Sequence, residues 1–192
     1  MQYPVNLNLS GRRCLVVGAG PVALRKTEQL LACGATVTVV APEVDPAFDR
    51  LPVTVRRREY SRDDLTGQQL VITATNVRAV NQQVFDDSNA LGLWVNSADD
   101  PERCTFTLPA TVRRGTLLLT ASTGGASPAL SSWLRGLLEN SFGDEWADVV
   151  SDLALERARV HAEGRSTEGL DWAPIIERII SARVGTHTME LR

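Results

Sequence analysis

Lysine is nearly missing from this chain. Of 192 residues and 20 basic side chains, only Lys26 is a lysine, and the net charge is −3. That balance argues against nucleic acid as the main partner. It leaves room for an anionic small molecule, because arginine clusters act locally inside a mildly acidic protein. Histidine is scarce too. His161 and His187 are the only two, too far apart for the HxxxH spacing of a resident metal, and neither is assigned a role. The three cysteines, Cys14, Cys33 and Cys104, form no CxxC pair, which disfavours a zinc or redox motif and fits a reducing cytoplasm. No apolar run approaches the ~20 residues needed to span a bilayer. The opening MQYPVNLNLS lacks the basic-then-apolar order of a signal peptide. Repeats and low-complexity segments are absent. The expectation is a cytoplasmic protein with no membrane or nucleic-acid partner, long enough to bury roughly 70% of its unfolded surface.

What is present is an alternation. Residues 15–17, 36–41, 53–57, 70–74 and 93–96 read as strands, and 22–33 and 80–91 as helices. Strand, helix, strand in this rhythm predicts βαβ units, hence an α/β, Rossmann-like parallel sheet with helices on both faces. After Asp99-Asp100-Pro101 the rhythm breaks. Residues 105–108 and 116–120 read as strands with no helix between them, and helices follow at 128–139, 145–162 and 172–184. Ser127 suits an N-cap and Pro128 the first helical position. The predicted division is 1–114 for the Rossmann-like domain, 115–144 for an arm, and 145–192 for a helical C-terminal region.

Gly18-Ala19-Gly20-Pro21-Val22-Ala23 follows the first strand and opens the first helix. This GxGxxA pattern predicts a dinucleotide site. The first glycine allows the tight turn, the second the approach of a pyrophosphate, and the small Ala23 lets helix pack on strand. The helix-end amides and dipole then favour the phosphate. The usual acidic partner of the ribose, expected about 20 residues on, is replaced by Ala41-Pro42-Glu43. Either Glu43 or backbone groups near Pro42 take that place, and no arginine follows the strand to meet a 2′-phosphate, which favours NAD. Thr75 and Asn76, after the fourth strand, are expected to line the same cleft or to cap the next helix.

The stretch NSADDPERCTF, residues 96–106, begins at the end of the fifth strand. By itself, an Asp-Pro turn explains its paired carboxylates better than catalysis does. Taken together, however, GAGPVALRK, GATVTVVAP, ATN, NSADDPERCTFTLPA and RGTLLLTASTGGASPALSSWLR, in order and spacing over residues 3–139, resemble the precorrin-2 dehydrogenase family, the N-terminal part of siroheme synthases. Beyond residue 139 the likeness is loose.

The resemblance implies oxidation of precorrin-2 to sirohydrochlorin with NAD, and in some members insertion of ferrous iron as a second substrate to give siroheme. It places the catalytic aspartate at Asp99. It assigns the cofactor site to Gly18, Gly20, Pro21, Val22, Pro42, Glu43, Thr75 and Asn76, and implies a homodimer built through the arm. Ser97-Ala98 departs from the apolar residue or valine common in the family. No methyltransferase domain follows in this sequence, so methylation is expected from another protein. For a tetrapyrrole rich in carboxylates, Arg103, Arg113, Arg114 and Arg135 are candidate clamps, each also a plausible solvated arginine taken singly. Residues 122–127, with Ser122, Thr123, Gly124 and Ser127, offer a second amide-rich helix entrance for a carboxylate, or a plain cap. Three readings stay open: a bifunctional dehydrogenase and ferrochelatase, a monofunctional dehydrogenase, and an NAD-sensing module without chemistry.

Overall fold

The computed structural model describes residues 2–98 and 100–185. The chain divides into two compact units, Met1–Leu108 and Pro109–Arg192.

The first unit is a five-stranded sheet of β1 (Arg13–Val17), β2 (Thr36–Ala41), β3 (Thr54–Arg57), β4 (Leu70–Thr73) and β5 (Trp94–Ser97), in the order β3-β2-β1-β4-β5. Every pairing is parallel. Helices α1 (Pro21–Ala32) and α2 (Arg78–Ala90) supply the two covers. Val16, Val39 and Ile72 pack with Ala23 and Leu30 of α1. Leu15, Val17, Val71 and Val95 pack with Val84 of α2. A strand covered on both faces has no solvent side, so β1 needs an unbroken apolar run rather than alternation. The central β1 lies between β2 and β4. The connections leave it in opposite directions, which opens a crevice at the strands' carboxyl ends.

One carboxylate is buried beneath this frame. The Asp64 side chain has no solvent exposure. It accepts from Arg58 at 2.5 and 2.7 Å, from Arg56 at 2.5 Å and from the Ser61 amide at 3.0 Å. Burial alone would raise its pKa, but the hydrogen bonds from Arg58, Ser61 and Arg56 outweigh it and hold the carboxyl below its ordinary value. A depressed carboxyl stabilises the fold above its unfolded pKa, and that contribution is lost as pH falls through the folded value. Asp64→Ala leaves two half-exposed guanidinium groups without their anion, so it should cost about 2–3 kcal/mol in denaturant unfolding at neutral pH. The difference from the parent protein should shrink below about pH 4.

The second unit begins with the antiparallel hairpin of β6 (Ala110–Arg114) and β7 (Leu117–Ala121). Helices α3 (Pro128–Ser141), α4 (Trp146–Ala162) and α5 (Ala173–Arg183) follow. Val149 of α4 packs against Ile179 and Ile180 of α5. Ser127 caps α3 by accepting from the Leu130 amide.

One sequence expectation shifts. Residues 105–108 are not a strand. Val95 N donates to Thr105 Oγ1, Thr105 N donates to Val95 O, and the Asn96 amide donates to Phe106 O. Two of these three bonds use a side chain, so pairing with β5 stops at a single antiparallel bridge between Asn96 and Cys104. The strand that does form is β6, just after Pro109, and it pairs with β7 in the second unit.

Candidate dinucleotide site and acid loop

The turn after β1 comes within contact of β4. Gly18 has φ +107°, and a Cβ built there would lie 2.4 Å from Ala74 O. Its amide donates to Val40 O at 2.9 Å. Only glycine fits such a position. At Gly20 the reverse holds, since φ is −89° and nothing lies within 4 Å of a Cβ there. That open space is what a pyrophosphate needs. Helix α1 has no side-chain cap and no acidic residue in its first turn. Its first internal bond runs from Leu24 N to Gly20 O, so the Val22 and Ala23 amides have no carbonyl to meet within the helix. The residues therefore fit a dinucleotide phosphate.

Two walls flank the turn. Asp45 N donates to Ala19 O at 3.1 Å, which ties the loop after β2 to the glycine turn. Pro42 and Glu43 lie exposed on that loop. On the other side, Ala74 N donates to Val17 O. Thr75 is half-buried and its hydroxyl is spent locally, donating to Asn81 Oδ1 at 2.7 Å and accepting from Val77 N at 3.2 Å. Asn76 is exposed beside it.

Next along the sheet, Ala98 N donates to Thr73 O and Asp100 N to Ser97 O. Asp99 lies outside the described residues. Asp100 pairs with Arg103, whose Nε also donates to Gln82 Oε1 at 2.6 Å. With its side chain only 13% exposed, Arg103 is engaged by the protein itself. Cys104 Sγ donates to the Asp100 and Ser97 carbonyls. Its thiol is pushed up by burial first, with the Ser97 hydrogen bond and the Lys26 charge pulling down and Asp100 pushing up.

In the second unit, Arg114 Nε donates to Phe142 O at 2.8 Å and lies 3.4 Å from Asp144, closing the end of α3. Arg135 pairs with Glu139 at 3.6 Å, and Arg113 is exposed. In the glycine loop, Thr123 Oγ1 accepts from Ser127 N and donates to Ser127 O, both at 3.0 Å. Gly124 N donates to Ser122 Oγ at 3.2 Å. Gly124 and Gly125 both have positive φ, so the loop's shape depends on them. Among the described residues, no group of three or more His, Cys, Asp or Glu is placed to hold a metal ion. No described helix is long and apolar enough to cross a membrane.

Sequence reasoning passed over Asn81, Gln82, Asn96, Cys104 and Lys26. Nothing in their spacing marks them, because no periodicity says which carbonyl, hydroxyl or guanidinium such a side chain will meet.

Comparison with known proteins agrees with this geometry. Residues 5–110 match the family described as "Putative NAD(P)-binding". A siroheme synthase of Nitrosococcus oceani is 35% identical over 191 residues, covering 96% of this chain and 41% of that protein. Siroheme synthase 2 of Aeromonas hydrophila is 42% identical over 143 residues, covering 73% and 30%. The chain thus spans less than half the length of these curated relatives. The solved structure of SirC, precorrin-2 dehydrogenase, superposes with a TM-score of 0.75 at 30% identity, covering 95% of this chain and 92% of that one. The chain belongs to the precorrin-2 dehydrogenase family, the N-terminal part of siroheme synthases.

Proposed function

We propose that the chain oxidises precorrin-2 to sirohydrochlorin with NAD. The observation that carries this is the uncapped, acid-free start of α1 behind an open Gly20, with a second, acidic loop at the carboxyl end of β5. Gly18 and Gly20 shape the cofactor turn, and the Val22 and Ala23 amides hold its phosphates, with Pro21 fixing the helix's first turn. Pro42 and Glu43 border the ribose side, and Thr75 and Asn76 the other side. When bound there, NAD would supply the hydride acceptor. Asp99 takes the accompanying proton as general base. Glu43 at the ribose end disfavours a 2′-phosphate by like charge, so NAD is preferred over NADP.

For the substrate's carboxylates, the exposed Arg113 is the assigned contact. Arg103, Arg114, Thr123 and Ser127 shape their own regions through the bonds described above. Residues 1–108 then serve as the cofactor domain, and the unit that starts at Pro109 supplies the dimerisation arm and the helical tail. On α3, Leu130, Trp133 and Leu137 are 46%, 61% and 44% exposed and share one helical face by their spacing. That face is assigned to a homodimer contact, and Trp133→Glu should convert a dimer to a monomer in sedimentation. A dimer that persists would place the contact elsewhere. A cytoplasmic location accords with cysteines that form no disulfide among the described residues.

The test is anaerobic incubation of precorrin-2 with NAD and purified chain, followed by NADH absorbance and the sirohydrochlorin spectrum. Appearance of both together supports the assignment. NADH binding without turnover would instead make the chain an NAD-sensing module. Iron insertion is a separate assay with sirohydrochlorin and ferrous ion. Acceleration over the uncatalysed rate adds ferrochelatase, a lyase activity, to the same chain, and its absence leaves a monofunctional dehydrogenase.

A further inference from the structure

Two neighbouring side chains on α2 grip two different loops. The Asn81 Oδ1 atom accepts from Thr73 Oγ1 at 2.6 Å, Thr75 Oγ1 at 2.7 Å and Thr75 N at 3.3 Å, and its Nδ2 donates to Thr75 O at 2.9 Å. Both backbone polar groups of Thr75 are therefore held by one amide side chain. Ala74, the preceding residue, is the one Gly18 packs against. Gln82 uses its amide differently. Its Nε2 donates to Asp86 at 2.8 Å, which fixes the amide's orientation, and its Oε1 accepts from Arg103 Nε at 2.6 Å. Arg103 in turn holds Asp100. Consecutive residues on a helix point about 100° apart, so one rigid helix reaches both loops.

We propose that Asn81 and Gln82 are positioning residues: Asn81 sets the loop beside the glycine turn, and Gln82, through Arg103, sets the loop that carries Asp99 and Asp100. Neither touches substrate or cofactor. The consequence for turnover rests on the dehydrogenase assignment, but the consequence for each loop does not. Loss of Asn81 frees Thr75 and the cofactor wall. Loss of Gln82 leaves Arg103 one partner short and loosens the acid loop. A residue that merely stabilised the fold would depress both functions together, whereas these two should separate them.

The test uses Asn81→Leu, Gln82→Leu and Gln82→Glu in the full chain. Asn81→Leu should weaken NADH binding about tenfold by fluorescence titration and raise the KM for NAD, with kcat changed less than about threefold. Gln82→Leu should lower kcat about tenfold and leave NADH affinity within about twofold. Gln82→Glu keeps an acceptor for Arg103 and should restore most of the rate. Peptide-level hydrogen exchange at residues 100–105 should quicken in Gln82→Leu and not in Asn81→Leu. The proposal is overturned if Asn81→Leu binds NADH like the parent, or if exchange at residues 100–105 is unchanged in Gln82→Leu. Equal loss of affinity and rate in both variants overturns it as well. Should the parent itself bind NADH and fail to turn over precorrin-2, the function assignment fails instead. The binding and exchange measurements still decide this proposal.

Discussion

Gly18→Ala should remove NADH binding and destabilise the protein by about 3 kcal/mol or more, whereas Gly20→Ala should spare stability and lose the cofactor. At Gly18 two penalties combine. A left-handed φ of +107° costs a non-glycine residue about 1–3 kcal/mol. The new methyl would also lie 2.4 Å from Ala74 O, and that atom is backbone. It cannot swing away, because Ala74 N is bonded to Val17 O and Asn81 holds the next residue. β1 and β4 would have to part at the centre of the sheet. At Gly20 the backbone is ordinary and the space is empty, so thermal unfolding should stay within about 0.5 kcal/mol of the parent. The methyl then stands where a pyrophosphate must approach, and NADH affinity should fall at least about tenfold. A Gly20→Ala variant that melts like the parent and also binds NADH like the parent would mean that the turn does not face the cofactor.

The sheet was legible because its signal is local. Residues 36–41 form β2 as expected from a β-branched run closed by Pro42, and the GxGxxA turn joins β1 to α1 as its pattern requires. Residues 105–108 misled for an equally physical reason. Their alternating Phe106 and Leu108 mimic strand periodicity, yet Thr105 and Asn96 side chains had already claimed the bonds. The loop braces were illegible in principle. Gln82 and Arg103 are 21 residues apart, and no periodicity relates a helix's amide to an arginine in another loop. The arginines show the same limit. Arg103 and Arg113 look alike in sequence, but one is enclosed by Asp100 and Gln82 and the other lies at the surface.

Asp99→Asn should lower kcat by about 10²–10⁴ while NADH affinity stays within about twofold, as expected for loss of a general base that does not bind the cofactor. The sequence offers two adjacent carboxylates, and the structure shows one of them, Asp100, already engaged. Asp100 is already paired with Arg103 and is only 28% exposed, so taking a proton from substrate would mean giving up that partner. Asp100→Asn should therefore act on loop order, with a modest rate loss that tracks Gln82→Leu. Ala98 N donates to Thr73 O and Asp100 N to Ser97 O, just past the carboxyl end of β5. The two variants also differ in pH dependence. A base works only when deprotonated, so the parent rate should fall toward acid, and so should that of Asp100→Asn. The residual rate of Asp99→Asn should lose that limb. If Asp99→Asn keeps the acid limb and most of its rate while Asp100→Asn loses both, the proton acceptor is Asp100, and Arg103 becomes the group that tunes it.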